Sequence, residues 1–218
     1  MYTHSTDAGW ISRTHKAIAP YRLQKPETVS DVLEALSHSG RATVIAGGID
    51  LTRRMRGGDT WDEVIDISGV AGLKGISRVG DNIRIGALAT HWDVESDPVL
   101  DTYLPDFQTG WKTIGNIRIR MTGTVGGNLM AAEPGYDGCV LLAAAGGSLV
   151  FATVDGEVSV PAAEVPDHIP ANALLTALEI PVAGNARLAF DRSLKPVVSV
   201  AVAIDGDRAT VAIGCAFD

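Results

Sequence analysis

Cysteine is scarce in this chain, with Cys139 and Cys215 the only two among 218 residues. They stand far apart in apolar surroundings. Neither belongs to a paired spacing that holds zinc or an iron-sulfur cluster, so both read as small core residues of a reducing compartment. The five histidines are scattered, with no close helical spacing of two ligands, so no metal is expected in this chain. Positive charge is short as well: 18 Lys and Arg face 26 Asp and Glu, a formal net charge of -8. That balance is the wrong footprint for nucleic acid or an anionic membrane surface. Long hydrophobic runs are also missing. Residues 1–19 are broken by His4, Asp7, Arg13, His15 and Lys16, which leaves no signal-peptide stretch, and nothing later reaches the ~20 apolar residues of a membrane span. A soluble, cytoplasmic protein is expected, and its 46% hydrophobic content suffices for a real core.

The chain opens its ordered pattern with a short strand at 18–23, ended by Lys25-Pro26 because proline cannot donate to a ladder. Thr28, with Asp31 three residues on, caps a helix whose Val29, Val32, Leu33 and Leu36 recur at helical spacing and which Gly40 stops. An apolar run, Ala42-Thr43-Val44-Ile45-Ala46, then reads as a strand delivered into Gly47-Gly48. From Glu63 the texture turns to short strands at 63–67, 73–79 and 82–87, the last two joined through Gly80-Asp81. Thr90 with Asp93 marks another helix start, and Asp137 is placed to cap a helix through Cys139 to Leu142 that Gly146-Gly147 ends. Strands follow at 148–153 and 157–160. Three prolines between 161 and 170 suggest a boundary, beyond which 174–180, 187–190, 197–204 and 208–215 read as a small antiparallel sheet with little cover for one face.

Two glycine-centred segments carry the chemistry: Ala46-Gly47-Gly48-Ile49-Asp50-Leu51, directly after a strand, and Thr124-Val125-Gly126-Gly127-Asn128-Leu129. Glycine lets successive backbone N–H groups approach a diphosphate with no Cβ in the way, and a helix starting near Asp50 would add its positive end. Taken singly, each is also just a turn. Neither fits the G-x-G-x-x-G fingerprint of a Rossmann unit, and no lysine makes a Walker A loop.

Together with their neighbours, however, the two segments closely resemble the FAD-binding medium subunit of the molybdenum hydroxylase family, which includes carbon monoxide dehydrogenase and xanthine dehydrogenase. Residues 63–67 resemble the family's "vIDI" strand, and Ile83 to His91 reads IRIGALATH, like its "IGA-x-x-TH" segment. Ile114-Gly115-Asn116, Ile117-Arg118, the second glycine segment, Pro134 and Asp137 keep the family's order and separations, and 174–181 resembles its "LLT-x-x-x-IP" stretch.

The resemblance implies an α+β fold: a two-lobed FAD-binding domain of the vanillyl-alcohol oxidase-like type over 1–165, lobe one about 17–70 and lobe two about 71–165, then a truncated C-terminal β domain over 171–218. Carried over by position, Val44, Ile45, Ala46, Gly47, Gly48, Ile49 and Asp50 would line the diphosphate. Ile114 and Gly115 would approach the flavin, while Thr124, Gly127, Asn128 and Ala131 would hold the diphosphate and ribityl region. Asp137 would accept from the adenosine ribose hydroxyls, although it can equally serve as a helix cap. Leu174 would pack near the isoalloxazine, although by sequence alone it is a core strand residue. Arg118 and Arg120 alternate as on a strand edge, where solvated charge is the ordinary explanation.

By the same resemblance the chain carries non-covalent FAD and no catalytic residue of its own. Electrons would reach it from a small 2Fe–2S subunit, in a complex with a molybdopterin-binding large subunit built as a dimer of heterotrimers, and leave to an external electron acceptor. A self-sufficient FAD oxidase or reductase and a flavin-free scaffold are the competing readings. Three departures from the family pattern bear on these. Ile49 stands where relatives carry a hydroxyl residue or histidine, leaving only a backbone donor there. Asp191 follows Ala189-Phe190 where some relatives have lysine, and an inward carboxylate would disfavour an anionic reduced flavin. The chain also stops at Asp218, where relatives continue through a longer C-terminal domain.

Overall fold

The computed structural model describes residues 17–38, 40–131, 133, 136–182, 187–193 and 197–215; His4, His15 and Pro134 lie outside them. The first lobe is built from β1 (Arg22–Gln24), α1 (Val29–His38), β2 (Ala42–Ile45), α2 (Ile49–Gly57) and β3 (Glu63–Asp66). Its three strands form a parallel sheet with β3 in the middle, pairing Val64 with both Leu23 and Thr43. Neighbours in a strand point to opposite faces, and β3 uses both. Ile65 packs on Val32 and Leu33 of α1, while Val64 packs on Leu51 and Met55 of α2. The Thr28 hydroxyl accepts from Asp31 N at 3.2 Å, as its spacing predicts.

The second lobe centres on a five-stranded antiparallel sheet in the order β4 (Ile76–Val79), β5 (Asn82–Gly86), β8 (Leu174–Pro181), β6 (Ser148–Thr153), β7 (Gly156–Pro161). Between β5 and β6 run six short helices: α3 (His91–Ser96), α4 (Pro98–Tyr103), α5 (Pro105–Trp111), α6 (Ile117–Thr122), α7 (Val125–Met130) and α8 (Gly138–Ala144). They bury Phe107, Trp111, Leu141 and Leu142 against Ile83, Ile85, Leu149, Phe151 and Leu178 of the sheet. A single-turn helix, α9 (Val165–His168), follows β7.

The sequence groups 174–180 with the C-terminal strands, but β8 is the middle strand of this sheet, pairing Leu178 with both Ile85 and Leu149. A strand covered on both faces reads as a continuous apolar run, and such a run names no partner. What remains at the C-terminus is a three-stranded antiparallel sheet, β11 (Arg208–Cys215), β10 (Val198–Asp205), β9 (Arg187–Arg192). One face of it, with Ala201, Leu188, Phe190 and Ala212, packs on Val140 and Ala144 of α8. The other leaves Val198, Ile204, Val211 and Ile213 exposed, the uncovered face that the strand pattern anticipates.

Two local readings change. Arg118 and Arg120 lie on a helix, α6, whose first amides at Arg118 and Ile119 are capped by the Asn116 side chain. Asp137 occupies the N-cap position of α8 with helical φ and ψ and makes no side-chain cap bond. A cap carboxylate needs an extended backbone to reach the first-turn amides, which this residue lacks.

Candidate functional site

The first glycine segment is set by the exit of β2. Val44 and Ala46 are half-buried against the α1 core, and Ile45 packs on Leu51 and Met55. Gly48 then takes φ 72°, a left-handed conformation that glycine adopts at little cost, and so turns the chain into α2. As the N-cap it supplies no side chain, so the first-turn amides of α2 have no side-chain cap, and Ile49 at its start is 39% exposed. Gly47 is the contact point. A Cβ there would lie 1.9 Å from the Thr122 carbonyl oxygen and 3.2 Å from Gly123 Cα, so this segment rests directly on the backbone that enters the second one.

The second segment is the first turn of α7 rather than a loop. Thr124 is its N-cap, accepting from Gly127 N at 3.1 Å, and is itself buried. Val125 N and Gly126 N donate to Ala89 O and Ala87 O, each at 2.9 Å, which pins the turn to the end of β5. A Cβ at Gly126 would lie 2.8 Å from Ala87 O, so that glycine serves packing. Gly127 is different: it is exposed, and an added Cβ would meet only the Thr124 hydroxyl, at 2.9 Å. Asn128 carries a buried Oδ1 with no partner in the protein, against the Gly138 backbone. Ala131 closes α7, half-buried, its N–H on Gly127 O at 3.1 Å.

The remaining sequence-derived residues are spread around this junction. Ile114 is 5% exposed with its side chain in the main core, so it offers a ligand only backbone. Gly115 has φ 69° and sits over Ile119, and its carbonyl accepts from Arg120 Nη1 at 3.2 Å. Asp137 is buried, with Oδ2 held by Arg192 Nη1 at 2.8 Å, while Arg192 Nη2 donates to Thr113 O at 2.6 Å. Arg192 thus ties β9 to the start of α8. Asp191 pairs with Val200 in β10 and is exposed, whereas Arg192 pairs with Ser199, which is buried on the α8 side. The carboxylate therefore points away from the helices and the guanidinium towards them. Leu174 packs with Val32, Leu33, Ile65 and Leu88, in the core shared with the first lobe.

Beside the first glycine segment lies a cleft of about 660 Å³ lined by Gly47, Gly48, Ile49, Arg53 and Glu133 among others. Arg53 donates to Asp50 at 2.5 Å and also to Glu133, and the Tyr136 hydroxyl donates to Asp50 at 3.4 Å. The hydrogen bond to Asp50, with Glu133 adding to it, raises the Arg53 pKa, and burial raises that of Tyr136. Sequence shows the Asp50–Arg53 pair as an i,i+3 neighbour on a helix, but nothing in it joins Arg53 to a glutamate 80 residues away.

Beneath α7 the His91 ring stacks on Trp111 at 5.5 Å, and its backbone N–H donates to Gly123 O at 3.0 Å. Burial, together with the nearby Arg120 charge, pushes its pKa down to about 4, so His91 is a neutral structural residue. Arg120 pairs with Glu95 at 3.0 Å, not aligned as a hydrogen bond, and donates to Lys112 O at 2.9 Å. Among the described residues no group of His, Cys, Asp and Glu is arranged to hold a metal, and no helix is long and apolar enough to cross a membrane. Burial raises the Cys139 pKa, which keeps the thiol protonated and unreactive.

With this geometry in place, residues 19–183 match the family described as the FAD binding domain in molybdopterin dehydrogenase. The chain is 30% identical over 144 residues to the carbon monoxide dehydrogenase medium chain of Hydrogenophaga pseudoflava, covering 65% of this chain and 50% of that one. It is 29% identical over 143 residues to the nicotine 6-hydroxylase medium subunit of Paenarthrobacter nicotinovorans, covering 65% and 50%. The chain therefore spans about half the length of these curated relatives. A solved structure of carbon monoxide dehydrogenase from Hydrogenophaga pseudoflava superposes with a TM-score of 0.87 at 22% identity, covering 91% of this chain and 76% of that one. Quinoline 2-oxidoreductase from Pseudomonas putida 86 superposes with 0.83 at 24% identity, covering 91% and 75%. At these identities the superpositions establish the fold, an α+β FAD-binding domain followed by a C-terminal antiparallel sheet.

Proposed function

This chain belongs to the family of FAD binding domains in molybdopterin dehydrogenase, and from that premise we propose that it is the FAD-binding electron-transfer subunit of a molybdenum hydroxylase complex. It would take electrons from a 2Fe–2S partner subunit and pass them to an external acceptor, while a molybdopterin-binding partner oxidises the substrate. The observation that carries the reading is the backbone contact of Gly47 with Thr122–Gly123, which brings a glycine segment from each lobe to one place. The site also fits the group. Gly127 is exposed and carries no Cβ where a ligand's oxygen atoms need close approach, and the buried Asn128 Oδ1 lacks a donor that a ribityl hydroxyl would supply.

FAD, when bound, supplies the carrier that accepts and releases electrons. The chain's own residues bind and orient it. The uncapped amides after Gly48 would donate to the diphosphate, aided by the positive end of α2, and Ile49 would take part through its N–H alone. Thr124 holds the α7 turn, in which Gly127 and Ala131 stand four residues apart and would face the same ligand, and Gly115 would meet the flavin through its backbone, its missing Cβ being turned to Ile119. Asp137 would accept from the ribose through Oδ1, since Arg192 holds Oδ2 and fixes the carboxylate plane. Leu174, a core residue that locks β8 against the first lobe, would stand behind the isoalloxazine as part of an apolar wall. With Asp191 turned outward and Arg192 paired with Asp137, β9 points no unpaired carboxylate towards Thr113–Gly115.

The visible spectrum of the purified protein tests the reading: a flavin spectrum is expected, and acid precipitation should leave the yellow colour in the supernatant. Residues 44–50 and 124–131 contain no His, Cys or Tyr for a covalent flavin bond. A colourless protein that takes up no added FAD would sink the proposal, and flavin retained by the denatured chain would sink the non-covalent mode.

A further inference from the structure

We infer that Arg53 is a positioning residue for the cofactor, strapping the start of α2 to Glu133 and, through their shared partner Asp50, to Tyr136, so that these side chains hold one wall of the cleft in place beside the ligand. The inference rests on the reading proposed above. Arg53 Nη2 donates both to Asp50 Oδ1, on its own helix, and to Glu133 Oε1, 80 residues away. A second tie runs from the Tyr136 hydroxyl to Asp50 Oδ1 at 3.4 Å. Asp50 thereby accepts from both Arg53 and Tyr136, while Arg53 carries the contact to Glu133. The same stretches of chain carry the proposed diphosphate contacts, at Gly48 to Asp50, and the proposed ribose contact, at Asp137. Arg53 and Glu133 line the same cleft as Gly47, Gly48 and Ile49, so the strap runs along the ligand's side.

A direct phosphate contact is the other use of an arginine here, and local charge argues against it. One guanidinium is already shared by two carboxylates, Asp50 and Glu133, so its charge is offset before a diphosphate arrives. A strap that stays closed keeps the guanidinium between the carboxylates. Its side chains are 55% exposed at Arg53 and 39% at Glu133, so the pair is weak and screened by salt.

The test is the rate at which the FAD-loaded protein releases FAD, followed by the recovery of flavin fluorescence at low and at high ionic strength. For the unaltered protein the rate should rise with salt about two- to five-fold, the range a half-exposed ion pair allows. Glu133→Gln and Arg53→Met should release FAD faster by that factor at low salt and lose the salt response, with an unchanged urea midpoint. The charge-swapped pair Arg53→Glu with Glu133→Arg should recover most of the slow release, and Tyr136→Phe should speed release without altering the salt response. Unchanged release in both single variants, or a swapped pair as fast as they are, overturns the strap while leaving FAD binding in place. Tighter FAD binding in Glu133→Gln also overturns it, since Arg53 would then be a ligand that Glu133 masks. If the unaltered protein takes up no FAD, the strap falls together with the proposed function.

Discussion

Gly47 and Gly127 look alike in sequence and do different work in the fold. A side chain at Gly47 collides with the Thr122 carbonyl, which belongs to the other lobe and has a helix behind it. Gly47→Ala should therefore cost roughly 1–3 kcal/mol, seen as a lower urea midpoint at unchanged slope, and should lower FAD content with it. At Gly127 an added Cβ meets only the Thr124 hydroxyl, at 2.9 Å, a side-chain end that has to shift slightly, so Gly127→Val should largely retain its fold while its bound FAD collapses. Full FAD occupancy in folded Gly127→Val would remove α7 from the phosphate site. His91 offers a separate test at the same scale. Burial holds its pKa in the folded protein down at about 4, below the usual 6.5 of a histidine, so the unfolded state binds the extra proton between them. Stability contributed by neutral His91 is then fully present above pH 6.5 and is lost as pH falls towards 4, on the order of 3 kcal/mol in all. Urea midpoints of the unaltered protein should fall between pH 7 and pH 4.5 more steeply than those of His91→Gln; parallel curves would show that His91 is not the group responsible.

At the scale of elements, the helix starts divide into those that local rules predict and those that tertiary contacts decide. Thr90 and Asp93 form a reciprocal capping box on α3, with Asp93 N on Thr90 Oγ1 at 3.1 Å and Thr90 N on Asp93 Oδ2 at 2.8 Å. Four residues suffice to read it. Thr90→Ala should cost about 1 kcal/mol in thermal or urea unfolding, and a change under a few tenths would mean that packing alone holds α3. Asp137 looked equally like a cap, but its carboxylate goes to Arg192, 55 residues away. No local pattern announces that partner. Arg192→Leu should leave Asp137 buried without its ion pair and loosen β9 from α8. Since Arg192 is one-third exposed, water relieves part of the penalty, and a loss of about 1–2 kcal/mol is expected in urea unfolding, with weaker FAD retention. Stability unchanged by that substitution would make the pair incidental to the docking of the C-terminal sheet.

For the whole molecule, α7 packs on the five-stranded sheet and α8 on the C-terminal sheet, while Gly47, at the exit of the parallel sheet, touches Thr122 just before α7. The described residues contain no cluster that would hold a metal, and the proposed diphosphate site lies where the two glycine segments touch. Alone, the FAD-loaded chain should be reducible by dithionite yet inert towards carbon monoxide, purines and aldehydes. Substrate should bleach its flavin only after reconstitution with the cluster and molybdenum subunits. Bleaching by substrate without them would replace the electron-transfer subunit with a self-sufficient flavoenzyme.

The sequence by itself determined what depends on near neighbours: the α1 periodicity, the capping box of α3, the hairpin at Gly80-Asp81, the two glycine segments and the order of motifs that marks the family. These signals span a few residues each, because capping, turn geometry and helical spacing act over one or two turns. Tertiary structure alone decided which strand β8 joins, that Gly47 touches Thr122, that Asp191 faces outward while Arg192 takes Asp137, and that Arg53 meets Glu133. Each of these pairs groups far apart in the chain. Such a pairing is chosen by the packing of whole layers and by the pairing of buried polar groups, neither of which leaves a local trace in the residues concerned.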